Sequence, residues 1–593
     1  MHNWEVTRLI RRRYLAVLIL LIVLTLSLSA SWYTRRAFGE IAIEKQDILR
    51  SNGRVVSFRT YTPVVNTYGQ PRPAVLTIHG ISSSGAMMDA FNIELARRNF
   101  TVVSVDIAGH GRSSERFGFD TFFEAVMDAY DAVRYVQLND PDTDDTLYGV
   151  LGHSLGAGMS LLFNNVTVKP FSTIIIGGGI GNQFGGLSLP LNESTPYNLM
   201  IASGFYDELV SPQAALDTLK IATGLNDPYP EAIYGNFMDG TARKLVFSST
   251  NHLFEMSDSK IVTQCVDWLA RSLQGVSYVE QSMLNPSQHI YQYISLFDLF
   301  ASASFVFSIF VITIISYSLL PTRLKPEQIE GLAEPLDNRA AMRYSLIMGL
   351  VTSILFLLLM LMGFVFEFTG LTLIPVSFGT SLSLISILTG LVVFFLSRRV
   401  LGREKVLLLT PELHSGRNPF FKGLYRAFLV ALLPLIWILG FSMISRVILD
   451  NPLILTFAVD SGAFAFRFLY MIALAFLMLP FFYADTLWLN ASVGISTKWT
   501  DLTDFTKRIT KALVSRLLGF LIIIAILYAA FLAMFNLGFI MFIALLMLPF
   551  AVLLGITVLN AVIIGGITRS NLSPALFNSF LFAVIVVSMF QLV

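Results

Sequence analysis

Long apolar segments on both sides of one polar stretch constrain the fold of this 593-residue chain more than any other feature. The chain is 54% hydrophobic and only 14% charged, whereas a typical soluble protein is about 25% charged. An uncharged run from Tyr14 to Trp32 is long enough for a helix that crosses a bilayer. Residues 41–281 have an ordinary globular composition. The sequence therefore predicts one folded domain joined to an integral membrane part.

Eight further membrane-crossing helices are predicted after the globular stretch. Leu517–Thr568 carries no charge and is too long for one span, so a turn at Asn536 is expected to divide it into two helices. We therefore expect an all-α polytopic bundle of nine transmembrane helices, made of a first helix at 14–34 and an eight-helix domain at 294–593. The other predicted spans are Leu299–Leu320, Tyr344–Phe366, Leu371–Leu396, Ala427–Ile444, Phe468–Ala484 and Leu572–Val593.

Basic residues in the loops predict how these helices are oriented, because cytoplasmic loops are enriched in Lys and Arg. Arg and Lys are frequent in the loops 321–343, 398–426 and 485–516, whereas the loop 446–462 has only Arg446. This alternation predicts a protein of the cell membrane with a cytoplasmic N-terminus (residues 1–13) and an extracytoplasmic globular domain (residues 41–281). Two arginines just after the first helix, Arg35 and Arg36, oppose the pattern.

A Gly-x-Ser-x-Gly pentapeptide in the globular stretch predicts a nucleophilic serine. The segment Gly152–Gly156 reads Gly-His-Ser-Leu-Gly, follows a predicted buried strand at 145–151 and precedes a predicted helix that begins at Ala157. In this strand–turn–helix context the pattern is typical of the nucleophile elbow, which exposes the serine hydroxyl above a sheet. The tight turn explains glycine at both flanking positions. Ser154 is therefore the candidate nucleophile.

Short apolar strands alternate with helical segments through the rest of the globular stretch. Such alternation indicates a mostly parallel sheet with helices on both faces. Helices are expected at 87–98 and 119–137, and strands at 55–61, 74–78, 100–105, 146–151, 173–176, 198–203 and 244–248.

Three motifs in this stretch resemble those of the α/β-hydrolase superfamily in order and spacing. They are His79-Gly80 after a strand, the segment Asp106–Ser113, and the pentapeptide Gly152–Gly156. Over about residues 55–273 the chain is similar to the esterases, monoglyceride lipases and peptidase-like members of that superfamily. The resemblance implies an α/β-hydrolase fold joined to the membrane bundle. The residue after the nucleophile, Leu155, is expected to supply one oxyanion-hole amide, and the resemblance implies Ile81 for the other.

The same superfamily resemblance guides the choice of catalytic partners, which follow the nucleophile in the order acid, then histidine. The segment Ser203–Pro212 resembles the acid loop, in which Asp precedes Val and Pro; this implies Asp207 as the acid, with Glu208 as the alternative. His252 follows the strand at 244–248 and lies outside any membrane segment. A serine hydroxyl needs a base, and the base needs a carboxylate that fixes its tautomer, so His252 is the predicted base. His79, His110 and His153 are expected to shape loops.

We therefore expect a membrane-bound serine hydrolase that cleaves an ester or thioester of a lipophilic substrate at the outer membrane face. A serine peptidase, an acyltransferase, or a transport or lipid-binding protein with a hydrolase-like domain are the alternatives. Membrane lipids and a lipophilic acyl substrate are the expected partners. No metal, cofactor or nucleic-acid partner is expected, and the oligomeric state stays open. Arg467 and Asp485, at the ends of a predicted span, are interpreted as residues that snorkel to the interface.

Overall fold

An eight-stranded sheet lies at the centre of the polar part of the chain. The structure is a computed structural model. It describes residues 2–118, 120–179, 181, 183–184, 187–321, 336–369, 372–410, 417–451, 453, 456–495, 501–534 and 538–593.

The sheet has the spatial order β1-β2-β4-β3-β5-β6-β9-β10, and every pair from β4 onward in this order is parallel. The mostly parallel sheet expected from the sequence is therefore confirmed. An edge strand at 41–49, which pairs antiparallel with β2, was not predicted. The strands are β1 Ile41–Leu49, β2 Val55–Pro63, β3 Arg72–Ile78, β4 Thr101–Asp106, β5 Thr143–His153, β6 Ser172–Ile176, β7 Gln183–Phe184, β8 Leu187–Ser188, β9 Leu199–Gly204 and β10 Arg243–Ser248.

Helices cover both faces of this sheet. One buried apolar cluster joins the sheet to α3, α4 and α5, and a second cluster joins the opposite face to α2 and α6. Alternating strands and helices place helices on both faces of a sheet, so each face has its own apolar core. Cys265 is fully buried in the second core, as a small apolar residue would be. In chain order the helices up to this point are α1 His2–Arg35, α2 Asp89–Ala96, α3 Phe122–Asn139, α4 Leu155–Leu162, α5 Pro212–Thr223, α6 Ser259–Leu273 and α7 Val276–Gln281.

Long apolar helices make up the rest of the described chain. Nine helices among the described residues, α1 included, are long and apolar enough to cross a membrane. Asn536, the predicted turn, lies outside the described residues. The predicted helix to Val593 is wrong at its end, because the helix stops at Met589, Phe590 has an extended backbone, and Leu592 forms an isolated β-bridge with Val376. The remaining helices are α8 Tyr291–Ser318, α9 Asn338–Thr369, α10 Gly379–Leu401, α11 Arg403–Leu409, α12 Arg417–Ser442, α13 Phe464–Val493, α14 Leu502–Met534, α15 Gly538–Thr568 and α16 Leu572–Met589.

Partly buried ion pairs join the domain that contains the sheet to the apolar helices. Arg35, at the end of α1, pairs with Asp89 of α2 and lies 2.6 Å from the carboxylate of Asp298 in α8. Lys45 of β1 lies 2.8 Å from Asp450, which follows α12. These contacts give Arg35 a structural role, which accounts for its departure from the basic-loop pattern. The sheet is thus docked on the helices through charged groups as well as apolar ones.

The snorkelling interpretation is wrong for both charged residues of α13. Arg467 is only 1% exposed and donates hydrogen bonds to the backbone carbonyls of Gly109 (3.0 Å) and Phe590 (3.1 Å). Asp485 is buried and lies 2.8 Å from Arg516 of α14. A charged group that has a partner inside the protein has no need to reach water, and neither residue could be assigned a partner from the sequence alone.

Candidate active site

Ser154 lies on a sharp turn between β5 and α4, as the pentapeptide predicts. Its backbone has φ 55° and ψ −114°, a conformation that costs energy for a residue with a side chain and that is found at functional sites. A Cβ atom on Gly152 would overlap the backbone of Gly156, and a Cβ on Gly156 would overlap the Ile78 carbonyl in β3. Both flanking positions therefore require glycine, and the turn leaves the Ser154 side chain partly exposed.

The structure brings Ser154, His252 and Asp207 together. The Ser154 hydroxyl lies 2.9 Å from His252 Nε2, and His252 Nδ1 lies 2.8 Å from Asp207 Oδ2. Ser154 follows β5, Asp207 follows β9 and His252 follows β10, so three parallel strands deliver the three side chains to one edge of the sheet. This is the geometry in which a histidine removes the hydroxyl proton while a carboxylate orients its ring.

The Asp207 carboxylate is held in its ionised form. Its other oxygen accepts hydrogen bonds from the backbone N–H groups of Leu209 (2.7 Å) and Val210 (2.9 Å). Burial opposes ionisation, but the hydrogen bond and charge of His252, together with the Val210 amide, lower the pKa of Asp207 below its ordinary value. An ionised acceptor fixes the tautomer with the proton on Nδ1, which leaves Nε2 free to accept from Ser154.

Glu208, the alternative acid, contacts the histidine through the backbone instead. Its carboxylate accepts from the N–H of His252 at 3.3 Å. Burial raises the pKa of Glu208 to about 7, so this carboxyl is partly protonated at neutral pH. The structure thus places Asp207 against the ring of His252 and Glu208 against its main chain.

Glu255 is a buried carboxyl at this site that the sequence reasoning missed. Its Oε1 accepts from the N–H of Gly204, and its Oε2 lies 3.2 Å from His153 Nε2 and 3.7 Å from His252 Nδ1. Burial, followed by the charge of Asp207, raises the pKa of Glu255 well above its ordinary value. Its only sequence signal is a glutamate three positions after His252, in a turn whose conformation the sequence does not reveal.

His153 and His79 have structural roles, as expected. His153 Nε2 lies 3.2 Å from the carbonyl of His252, and burial lowers the pKa of His153 to about 3. Its ring is therefore neutral and donates to the loop that carries the candidate base. His79 Nε2 accepts from the N–H of Ile107 at 3.1 Å. Asp106 accepts from the N–H of Arg112 at 3.0 Å, so these residues hold the loops at the sheet edge.

The residues beside the two expected oxyanion donors lie at the elbow. Leu155 is the first residue of α4, and the N-terminus of a helix presents its amides to negative charge. A Cβ on Gly80 would lie 3.2 Å from both His153 Nδ1 and the Ser154 Cβ. Gly80, which precedes the expected donor Ile81, is therefore packed against the elbow.

Three potential metal ligands lie together within the described residues. Ligand atoms of His153, His252 and Glu255 all lie within 4.8 Å of one another. Both ring nitrogens of His252 already have partners, namely Asp207 and Ser154. We therefore interpret this cluster as part of the triad's surroundings and assign it no metal.

The edge of the sheet that carries the triad faces the apolar helices. Ser82, after β3, donates to Gln591 at 2.8 Å, and the carbonyl of Arg112, after β4, accepts from Gly462 at 3.0 Å. Loops from two strand ends thus contact the helical part beside the candidate site.

The segment around the elbow matches a known protein-family model. Residues 69–179 match the model of the family described as serine aminopeptidase, S33, within the α/β-hydrolase superfamily. This match covers β3 to β6 and includes Ser154, and it confirms the superfamily resemblance stated from the three motifs. No curated protein matches the sequence.

Solved structures similar to this chain include two esterases and a thioesterase domain. An esterase of Pyrococcus furiosus is 14% identical, with 40% of this chain and 95% of that chain covered and a TM-score of 0.30. An esterase of Thermogutta terrifontis is also 14% identical, with 39% and 99% covered and a TM-score of 0.30. The thioesterase domain from the curacin biosynthetic pathway is 16% identical, with 38% and 99% covered and a TM-score of 0.27.

Proposed function

We propose that this chain is a membrane-bound serine hydrolase that cleaves an ester or thioester of a lipophilic substrate. The observation that carries the proposal is the alignment of Ser154, His252 and Asp207 at 2.9 Å and 2.8 Å on an edge of the sheet that faces the apolar helices. The superfamily match over residues 69–179 supports a hydrolase.

In the proposed reaction Ser154 Oγ attacks the substrate carbonyl while His252 Nε2 takes the hydroxyl proton. Asp207 stabilises the imidazolium that forms, and the amides of Leu155 and Ile81 donate to the oxyanion. His252 then protonates the leaving alcohol or thiol as the tetrahedral intermediate collapses to an acyl-enzyme. Water, deprotonated by His252, attacks the acyl-enzyme and releases the acid and Ser154.

The proposed membrane arrangement explains the choice of a lipophilic substrate. We propose a first transmembrane helix at 14–34, a hydrolase domain at 41–281 outside the membrane, and an eight-helix transmembrane domain at 294–593, with residues 1–13 in the cytoplasm. The basic-loop pattern supports this orientation. A site that opens toward membrane helices meets lipids at a higher local concentration than it meets soluble esters.

The test is hydrolysis by the full chain in phosphatidylcholine vesicles that contain a long-chain monoacylglycerol. We expect release of fatty acid by the wild type and by Ser272→Ala, a buried serine of α6 whose hydroxyl donates to Trp268, but not by Ser154→Ala. Faster cleavage of a soluble acetyl ester than of the lipid would contradict the lipophilic substrate.

A serine peptidase is the second candidate, because the matched family is described as serine aminopeptidase. Alanine p-nitroanilide, added to the same vesicles, distinguishes the two. Cleavage of this amide with the monoacylglycerol left intact would replace the esterase proposal with the peptidase.

A further inference from the structure

Residues 590–593, which follow α16, lie against the loops of the sheet beside the candidate site. The N–H of Leu592 donates to the carbonyl of Gly109 at 2.9 Å, and the N–H of Phe117 donates to the carbonyl of Leu592 at 3.0 Å. Gly109 has φ +76°, and a Cβ there would overlap the Leu592 carbonyl. Glycine is therefore required at this position for the close approach of the segment.

The same segment is held from the membrane side. The N–H of Ser377, in the loop before α10, donates to the carbonyl of Gln591 at 2.8 Å. Arg467 of α13 donates to the carbonyls of both Phe590 and Gly109, so one buried guanidinium bonds the segment and the loop that it contacts. Charge-assisted hydrogen bonds of this kind are strong in a buried setting, and they fix residues 590–593 relative to both parts of the molecule.

The side chain of Gln591 reaches the loop that carries the proposed oxyanion donor. Gln591 is 1% exposed, and its Oε1 accepts a hydrogen bond from Ser82 Oγ at 2.8 Å. Ser82 directly follows Ile81 and has φ +56°, a left-handed conformation that is unfavourable for serine. A residue in that conformation persists only where its surroundings hold it, and Gln591 is a buried partner that does so.

We propose that Gln591 is a positioning residue, which holds Ser82 and thereby keeps the Ile81 amide aimed at the oxyanion formed on Ser154. This inference rests on the proposed function, because an oxyanion donor matters only if Ser154 forms a tetrahedral intermediate. The proposal gives the helical part a role in catalysis. Residues 590–593 follow α16 and are held by α13 and the loop before α10, and Gln591 among them holds the loop that carries the Ile81 amide.

The test compares variants of the full chain in detergent, with p-nitrophenyl butyrate as substrate and a trifluoromethyl ketone as inhibitor. Gln591→Ala should lower kcat about tenfold and weaken the ketone about tenfold while KM changes less than about twofold, because the donor acts mainly on the tetrahedral species. Ser82→Ala removes the same hydrogen bond from the sheet side and should have the same effect, even if Gln591→Ala fails to fold.

Adding Gln591→Ala to a second variant, Ser82→Gly, separates a positioning role from a general loss of stability. Ser82→Gly removes both the hydroxyl and the conformational strain, so adding Gln591→Ala to it should change kcat less than about twofold. Gln274→Ala is the matched control, since this buried glutamine hydrogen-bonds the Arg98 and Asn99 carbonyls and should leave kcat and ketone affinity unchanged.

The outcomes distinguish the two proposals. A wild type that hydrolyses the ester, with Gln591→Ala and Ser82→Ala at wild-type kcat and ketone affinity, would overturn the positioning role alone. An equal loss from Gln591→Ala in the wild-type and Ser82→Gly backgrounds would overturn it as well. A folded wild type that hydrolyses neither p-nitrophenyl butyrate nor the monoacylglycerol would overturn the proposed function, and the positioning role with it.

Discussion

The sheet and the apolar helices differ in how they bring polar residues together. In the sheet, Ser154, Asp207 and His252 each follow a parallel strand, so strand order alone carries them to one edge. In the helical part, the polar residues that contact the sheet or its loops include Asp450, after α12, and Gln591, after α16. Parallel strands impose a common edge on distant residues, whereas helices pack by apolar surface and give their polar residues no common place. Sequence motifs can therefore locate the candidate active site, but they cannot locate the contacts between the sheet and the helices.

The largest expected effect concerns the two neighbouring acids of the sheet. Asp207→Asn should lower kcat about 10³- to 10⁴-fold, because the amide fails to hold the His252 tautomer that accepts the proton of Ser154. Glu208→Gln keeps an acceptor for the His252 N–H and should cost less than about tenfold. Ester hydrolysis at saturating substrate is the measurement. Equal losses in both variants would make the assignment of Asp207 as the acid wrong.

The next effect tests the docking of the sheet on the helices. Arg35→Ala removes the cationic partner of Asp89 and Asp298, two partly buried carboxylates that keep other hydrogen-bond donors. Losing hydrogen bonds to charged groups should cost about 1.5–3 kcal/mol. Lys220→Ala is the control, because its pair with Asp217 is exposed and contributes less than about 1 kcal/mol. Thermal unfolding in detergent measures both. A similar small shift for the two variants would show that the Arg35 pairs do not secure the docking.

Two glycine-to-alanine substitutions compare the packing at the elbow with the packing in the helical part. Gly156→Ala places a methyl group on the Ile78 carbonyl, which should cost about 1–3 kcal/mol of stability and displace Ser154 enough to lower kcat about 100-fold. Gly440→Ala, in α12, meets nothing within 4 Å and should be neutral or slightly stabilising, since alanine favours helix. The comparison fails if Gly156→Ala retains wild-type activity.

The smallest effect is a change in the pH dependence of stability. Because burial raises the pKa of Glu208 from 4.5 to about 7, the folded protein binds this proton more tightly than the unfolded chain does. Its contribution is fully present below pH 4.5 and is lost as pH rises through 7. Glu208→Gln should therefore flatten the decline of the unfolding temperature across that range. An unchanged slope would show that Glu208 has an ordinary pKa in the folded protein.

Much of the sheet and its candidate triad followed from sequence because local signals agreed with one another. The elbow glycines, the strand before Ser154 and the late strand before His252 all specify local geometry that the fold keeps. The edge strand at 41–49 was missed, since its partly exposed residues show no clear apolar alternation. Glu255 was missed because its burial depends on the packing of the turn after His252.

Apolar length predicts long helices in the helical part, but it does not predict which residues they contact. Apolar length is enough to find nine candidate spans among the described residues, yet it says nothing about which polar groups meet. Arg467 and Asp485 were interpreted as interfacial residues, and the structure gives both of them buried partners. Their partners are distant in sequence and belong to no motif, so only the packed structure reveals them.

The most direct test of the central claim is labelling of the full chain in detergent with a fluorophosphonate, followed by mass spectrometry of the modified peptide. We predict a single adduct on Ser154, lost in Ser154→Ala and retained in Ser272→Ala, because His252 and Asp207 activate the Ser154 hydroxyl. A folded wild type that remains unlabelled, or an adduct on another serine, would contradict the account.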